Sequence, residues 1–79
     1  SSTFDVAVSQ KIAFSAEVGL SGELRPVPQI EKRIAEAEKL GFAKIYISSF
    51  SQKEEGAHKK ISVVRASDVT AVVRDIFKE

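Results

Sequence analysis

The sequence contains no cysteine, no methionine and no tryptophan, and it has a single histidine. Without cysteine the chain can form neither disulfide bridges nor thiolate metal sites, which fits a reducing compartment and predicts a cytoplasmic protein. Because His58 stands alone, a metal site built on several imidazoles is excluded. The missing methionine and the Ser-Ser-Thr start lead us to expect a segment cut from a longer protein.

Long hydrophobic runs and a strong charge imbalance are also missing. No apolar run approaches the roughly 20 residues that a membrane span needs, and no signal peptide is recognisable, so we expect no membrane contact. The formal net charge of +1 gives no overall attraction to nucleic acid, so any such affinity must come from local clusters of cations. The 79 residues make one small domain, or part of one, with a marginal core.

Alternating apolar residues predict a β-hairpin in the first third of the chain. Residues 11–20 carry an apolar side chain at every second position, which indicates a strand with one buried face. A tight turn at Gly22 follows, and residues 23–27 resume as a short second strand. We interpret residues 1–10 as a connector or a residual strand of a truncated domain, ahead of a unit formed by residues 11–79.

A helix and a strand are predicted next. Pro28 is expected in the first turn of the helix, whose apolar stripe ends at Leu40 before a stop at Gly41. Residues 43–49 alternate again, which places Tyr46 on the side of the strand opposite its isoleucines.

The remainder is predicted to form a loop, a strand and a second helix. Residues 50–60 are polar and indicate a loop, residues 61–65 a further strand, and Ser67 is the expected N-cap of the final helix. The resulting order β-β-α-β-β-α indicates an α/β (α+β) fold.

No catalytic or nucleotide-binding constellation is visible, but two basic pairs stand out. There is no Gly-Lys-Ser/Thr phosphate loop. His58 lies in a charged loop, where we do not expect it to pair with a serine. Lys32-Arg33 and Lys59-Lys60 are candidate DNA-binding residues, since such side chains contact phosphates. The alternative is an ordinary solvated surface, because glutamates lie close to both pairs in the sequence.

The stretch from Phe14 to Phe42 reads FSAEVGLSGELRPVPQIEKRIAEAEKLGF. It resembles the C-terminal, Lon-protease-like domain of the RadA (Sms) family of bacterial DNA-repair ATPases. The residues that match the family pattern are Glu17, Gly19, Leu20, Gly22, Glu23, Arg25, Pro26, Val27, Glu31, Arg33, Glu36, Ala37, Leu40, Gly41 and Phe42.

The resemblance implies a fold like that of ribosomal protein S5 domain 2 and the Lon protease domain. Lon-type proteases use a serine–lysine dyad, and the position of that lysine is occupied here by Glu31. Lys32 points about 100° further around the helix and does not replace it, and the serine would lie upstream of this chain. We therefore expect no enzymatic activity from this segment.

The resemblance also implies a role in DNA repair and recombination. The parent protein would be a hexameric ring that uses ATP to promote branch migration, with ATP, magnesium and zinc bound in upstream parts. This segment would hold no cofactor and would serve as ring scaffold and DNA-contact surface. The alternative is a purely structural oligomerisation module without DNA contact.

A truncated domain has a further consequence. If preceding strands are missing, the first strand exposes backbone donors and apolar surface. We expect self-association through that edge, or an altered packing of residues 1–10.

Overall fold

The structure, a computed structural model, describes residues 2–51 and 61–77, and the statements below concern these residues. They form a small mixed α/β domain with a five-stranded sheet and two helices. The elements are β1 (Ser2–Ala7), β2 (Ile12–Val18), β3 (Leu24–Arg25), α1 (Ile30–Lys39), β4 (Lys44–Ser48), β5 (Ser62–Ala66) and α2 (Val69–Ile76). From β2 onward they follow the predicted order. The division of the chain at residue 10 stays a prediction.

The strand β2 lies at the centre of the sheet. On one side it pairs antiparallel with β1 along its whole length, from Ser2 opposite Val18 to Ala7 opposite Ala13. On its other side, its first half pairs in parallel with β4 and its last two residues pair antiparallel with β3. Because β5 continues the sheet beyond β4 in parallel, the two outer strands are β1 and β5. The exposed edge expected at the first predicted strand therefore belongs to β1.

The sheet is covered on both faces, so the one-sided burial predicted for β2 was wrong. Residues 13–16 of β2 are all buried, and so are residues 45–48 of β4. The α1 helix packs with Ala13, Ile45 and Ile47 on one face, while α2 packs with Phe14 and Tyr46 on the other. Alternation within one strand cannot reveal a second covering helix, which is typical of parallel strands.

The first helix begins later than its proline suggested. Pro28 lies outside α1, and Gln29 occupies the N-cap in the left-handed region, with φ 59° and ψ 42°. The C-terminal stop is confirmed at Gly41, which has φ 96°. There the amide of Phe42 donates to the Ala37 carbonyl at 3.0 Å and that of Gly41 to the Glu38 carbonyl at 3.1 Å. This is the Schellman pattern of a helix closed by a left-handed residue.

The second helix is capped by Asp68, not by the predicted Ser67. The Asp68 carboxylate accepts from the amide of Ala71 at 2.8 Å, in the third helical position. The carbonyl of Ser67 instead accepts from the amide of Leu24 at 2.9 Å. Asp68 therefore caps α2, while the backbone of Ser67 connects β3 to the start of that helix by a hydrogen bond.

A tyrosine joins the sheet to the end of α2. The hydroxyl of Tyr46, whose residue is fully buried, donates to the carboxylate of Asp75. The ammonium of Lys44 lies 3.8 Å from the same carboxylate and 5.6 Å from the centre of the tyrosine ring. Burial, assisted by the hydrogen bond to Asp75, raises the pKa of Tyr46 to about 12.

This raised pKa predicts a loss of stability in alkali. An unfolded tyrosine releases its proton near pH 10 and the folded one only near 12, so the free energy of unfolding should fall across that window. The Tyr46→Phe variant should lack this contribution and be less stable than the natural chain by about 1 kcal/mol at pH 7. Urea unfolding of both proteins from pH 7 to 12 measures it. Stability curves that run parallel would contradict the assignment.

The C-terminal cap of α1 gives a second test. Gly41→Ala should destabilise the fold by about 1 kcal/mol, because a side chain disfavours positive φ. No atom lies within 4 Å of the added Cβ, so a steric clash would not contribute. Gly41→Asn is the matched control and should lose less stability, since asparagine tolerates this conformation. Equal losses in thermal unfolding would mean that backbone conformation is not the cause.

Candidate nucleic-acid surface around the first helix

Two of the four candidate DNA-binding residues, Lys32 and Arg33, lie where α1 faces β1. They line an open cleft of about 480 Å³, which we call the α1–β1 cleft. Its lining residues come from β1, β2, α1 and the start of β4: Asp5, Val6, Ala7, Ala13, Phe14, Ser15, Gln29, Lys32, Arg33, Glu36, Ala37, Leu40, Phe42 and Ile45. The cleft thus places both cations beside an edge strand of the sheet.

The guanidinium of Arg33 is engaged inside this cleft. It forms an ion pair with the carboxylate of Asp5, and its Nε donates to the Pro28 carbonyl at 2.9 Å. Asp5 in turn accepts a hydrogen bond from the hydroxyl of Ser15. The side chains of Arg33 and Asp5 keep only 29% and 48% of their exposure, so the pair is partly shielded from solvent. Arg33 therefore ties the first turn of α1 to β1.

Lys32 differs from its neighbour. Its side chain is exposed and makes no ion pair with any residue in ranges 2–51 and 61–77. Glu36, one turn further along α1, also lines the cleft and lowers the local positive potential. The structure therefore brings the two cations to one cleft but leaves one of them available to a phosphate.

The other two candidates, Lys59 and Lys60, lie outside the described residues. Reading the sequence also missed a backbone contact between two distant lysines. The backbone amide of Lys44 donates to the carbonyl of Lys11 at 3.1 Å. The contact joins the two backbones only, because Lys44 lies opposite Ile12 in the parallel pairing of β2 and β4.

The turn motif that carries the family resemblance has a structural role. The Glu23 carboxylate accepts from the amide of Ser21 at 3.2 Å and binds the Arg25 guanidinium at 2.8 Å. A Cβ on Gly19 would lie 2.1 Å from that carboxylate, so a larger residue there would displace the Glu23 side chain from the observed arrangement. Hydrogen bonding to the backbone amide of Glu23, and then to Arg25, holds the pKa of Glu23 below its usual value. The motif therefore builds the turn.

Glu31, for which the resemblance implied the position of the dyad lysine, is half-buried in the first turn of α1. It lines a shallow depression together with Pro26, Val27 and Phe50. Two buried serine hydroxyls on the sheet donate elsewhere, Ser15 to Asp5 and Ser48 to the Leu24 carbonyl.

Two further observations apply to the described residues. They contain no group of three or more histidine, aspartate or glutamate side chains that could hold a metal ion. Neither helix of this part of the chain is long and apolar enough to cross a membrane.

The described elements define a small mixed α/β domain with a glycine-turn hairpin and a first helix of mixed charge. No protein-family model matches the chain. It is 39% identical over 77 residues to DNA repair protein RadA of Streptococcus pneumoniae. The aligned residues cover 98% of this chain and 18% of that relative.

Two further relatives carry the same name. RadA of Streptococcus pyogenes serotype M3 is 41% identical over 69 residues, which is 87% of this chain and 15% of the relative. RadA of Bacillus subtilis is 39% identical over 61 residues, which is 77% of this chain and 13% of the relative. The chain spans less than a fifth of the length of these curated relatives. It belongs to the RadA family as a partial chain, and the resemblance found in its sequence is confirmed.

The ion pair in the cleft can be tested by a double-mutant cycle. Asp5→Asn and Arg33→Met should show a coupling of about 0.5–1 kcal/mol in unfolding free energy, because the pair is partly exposed. The coupling should shrink as salt is added. Asp5→Asn combined with Lys32→Met is the control and should be additive. Equal coupling in both cycles would contradict the specific link between Asp5 and Arg33.

Proposed function

We propose that this chain is a non-catalytic, Lon-like domain of a RadA-type protein of DNA repair and recombination. The observation that carries the proposal is 39% identity to a DNA repair protein across 98% of the chain. A Lon-like and ribosomal protein S5-like fold is supported by the order β-β-α-β-β-α after β1. The parallel strands β2, β4 and β5 with a helix on each face agree with it.

The absence of peptidase activity is part of the proposal. The carboxylate of Glu31 cannot act as the amine base of a serine–lysine dyad. The neighbouring Lys32 does not replace it, because it points about 100° further around α1. ATP hydrolysis, magnesium and zinc binding, hexamer formation and branch migration would belong to the longer parent protein, in the cytoplasm. This domain would act there as ring scaffold and DNA-contact surface.

The DNA contacts are assigned to Lys32, Arg33, Lys59 and Lys60. The assignment of Lys32 is supported by its exposed side chain, which lines the α1–β1 cleft. Arg33 would support DNA binding mainly by holding α1 against β1 through Asp5, and its partly exposed guanidinium could add one phosphate contact. Such contacts supply affinity without reading base sequence.

The competing function is a structural oligomerisation module that does not touch DNA. It is favoured by the compensation of positive charge: Arg33 is paired with Asp5, Arg25 with Glu23, and Lys44 lies near Asp75. With a net charge of +1, the whole chain has no general attraction to phosphate.

Fluorescence anisotropy with labelled single- and double-stranded DNA at rising salt separates these functions. A DNA-contact domain should bind at low salt and weaken steeply, with each lost phosphate contact lowering the logarithmic salt slope by about 0.9. The double variant Lys59→Glu/Lys60→Glu should bind at least about tenfold more weakly at 50 mM salt. Lys32→Glu should show a smaller loss.

The matched controls carry the same charge change on other exposed lysines. Lys11→Glu/Lys39→Glu is matched to the double variant, and Lys39→Glu alone is matched to Lys32→Glu on the same helix. Losses confined to the assigned residues would support a defined DNA path. Equal losses in controls and assigned variants would refute the assignment, and no binding at low salt would favour the structural module.

A further inference from the structure

The guanidinium of Arg33 divides its donors between two acceptors. Its Nη1 binds the carboxylate of Asp5, and its Nε donates to the Pro28 carbonyl at 2.9 Å. A guanidinium binds a phosphate most strongly through two parallel N–H groups on one edge. Each such edge of Arg33 has one donor already engaged. Because the Pro28 carbonyl is fixed in the backbone while a carboxylate side chain can rotate, a phosphate gains a two-donor edge only when Asp5 moves away.

Asp5 is held by two donors of the kinds that also bind phosphate oxygens. Besides Arg33, the hydroxyl of Ser15 donates to its carboxylate. Ser15 is only 3% exposed, so its hydroxyl needs another acceptor whenever Asp5 leaves. A phosphate oxygen supplies one, since it accepts from hydroxyl and guanidinium groups alike. The Asp5 side chain keeps 48% of its exposure, so its position can be reached from solvent and its release into water costs little.

The charges of the α1–β1 cleft favour an anion once Asp5 has left. Lys32 lines the same cleft, is exposed, and forms no ion pair within ranges 2–51 and 61–77. Glu36 is the other carboxylate of the lining. With Asp5 in place, carboxylates and cations of the lining balance, whereas without it the cations are in excess. A phosphate bound beside an undisplaced Asp5 would instead lie close to a like charge.

We propose that Asp5 occupies a phosphate site of the DNA-contact surface and competes with a DNA phosphate for Arg33. In the free domain the ion pair holds α1 against β1. On contact with DNA, the phosphate replaces the carboxylate at Arg33 and Ser15, and Asp5 turns to solvent. Asp5 thus lowers the affinity of the surface for DNA. This inference rests on the proposed DNA contact of Arg33 and adds a residue that restrains it.

The variant Asp5→Asn tests the competition. Its amide keeps the shape of the side chain and an acceptor oxygen for Ser15, but it removes the charge. Fluorescence anisotropy with labelled single-stranded DNA at about 50 mM salt should show binding about two- to fivefold tighter than that of the natural chain. This range corresponds to a partly exposed ion pair that DNA no longer has to break. Asp5→Ser, a second neutral variant, should give a similar gain.

Glu36→Gln is the matched control, because it removes the same charge from the same cleft. It acts only through the general potential, so its gain in DNA affinity should be smaller and should persist when Arg33 is replaced. The gain of Asp5→Asn should depend on Arg33. In an Arg33→Met background, Asp5→Asn should therefore tighten DNA binding no more than Glu36→Gln does.

Inorganic phosphate tests the competition without DNA. In NMR titrations, the Arg33 Nε–H signal should shift as phosphate is added. The dissociation constant for phosphate should be about two- to fivefold lower for Asp5→Asn than for the natural chain. Circular dichroism and thermal unfolding of each variant verify that the compared proteins are folded.

Three results would overturn the inference. The first is equal affinity of Asp5→Asn and the natural chain for DNA and phosphate, which would leave the proposed contacts of Lys32, Lys59 and Lys60 intact. The second is weaker DNA binding by a folded Asp5→Asn variant, which would mean that Asp5 supports the surface. The third is tighter phosphate binding without DNA binding by either chain, which would refute the proposed DNA contact as well.

Discussion

The described fold depends on β2, which pairs with three of the other four strands of the sheet. β2 forms hydrogen bonds with β1 on one side and with both β3 and β4 on the other, and residues 13–16 are buried from both faces. A polar side chain in such a strand needs an internal partner, and Ser15 finds one in Asp5. Because the two helices pack against opposite faces of this strand, its burial couples the two halves of the core.

The second constraint is the connection between the glycine turn and α2. Leu24 donates to the Ser67 carbonyl, Val69 donates to the Gly22 carbonyl, and the buried Ser48 hydroxyl donates to the Leu24 carbonyl. Three segments that are distant in sequence therefore satisfy one another's polar groups at one end of the sheet. This explains why the turn needs particular residues although it carries no chemistry: Gly22, with φ 84°, directs its carbonyl to α2.

The mixed α/β class and the order of elements from β2 onward could be predicted, because they depend on local periodicity and on chain breaks at Gly22 and Gly41. The burial of Tyr46 could not, since it depends on α2 covering the second face and on the distant partner Asp75. For the candidate surface, adjacency in sequence found Lys32 and Arg33 but could not separate their roles. That separation comes from Asp5, a residue on a different strand that meets Arg33 only after α1 has packed against the sheet.

Strand order also has a consequence for how the chain acquires its structure. The β1–β2 hairpin joins residues separated by at most 16 positions, from Ser2 to Val18. The pairing of β2 with β4 instead joins residues about 32 positions apart. Contacts between near neighbours form at lower entropic cost than distant parallel pairings. During synthesis the hairpin can therefore assemble before the rest of the core exists to support it. During that interval β2, which later becomes the central strand, is itself an edge strand. Its apolar side chains stay exposed to association with other chains until α1 and β4 have formed.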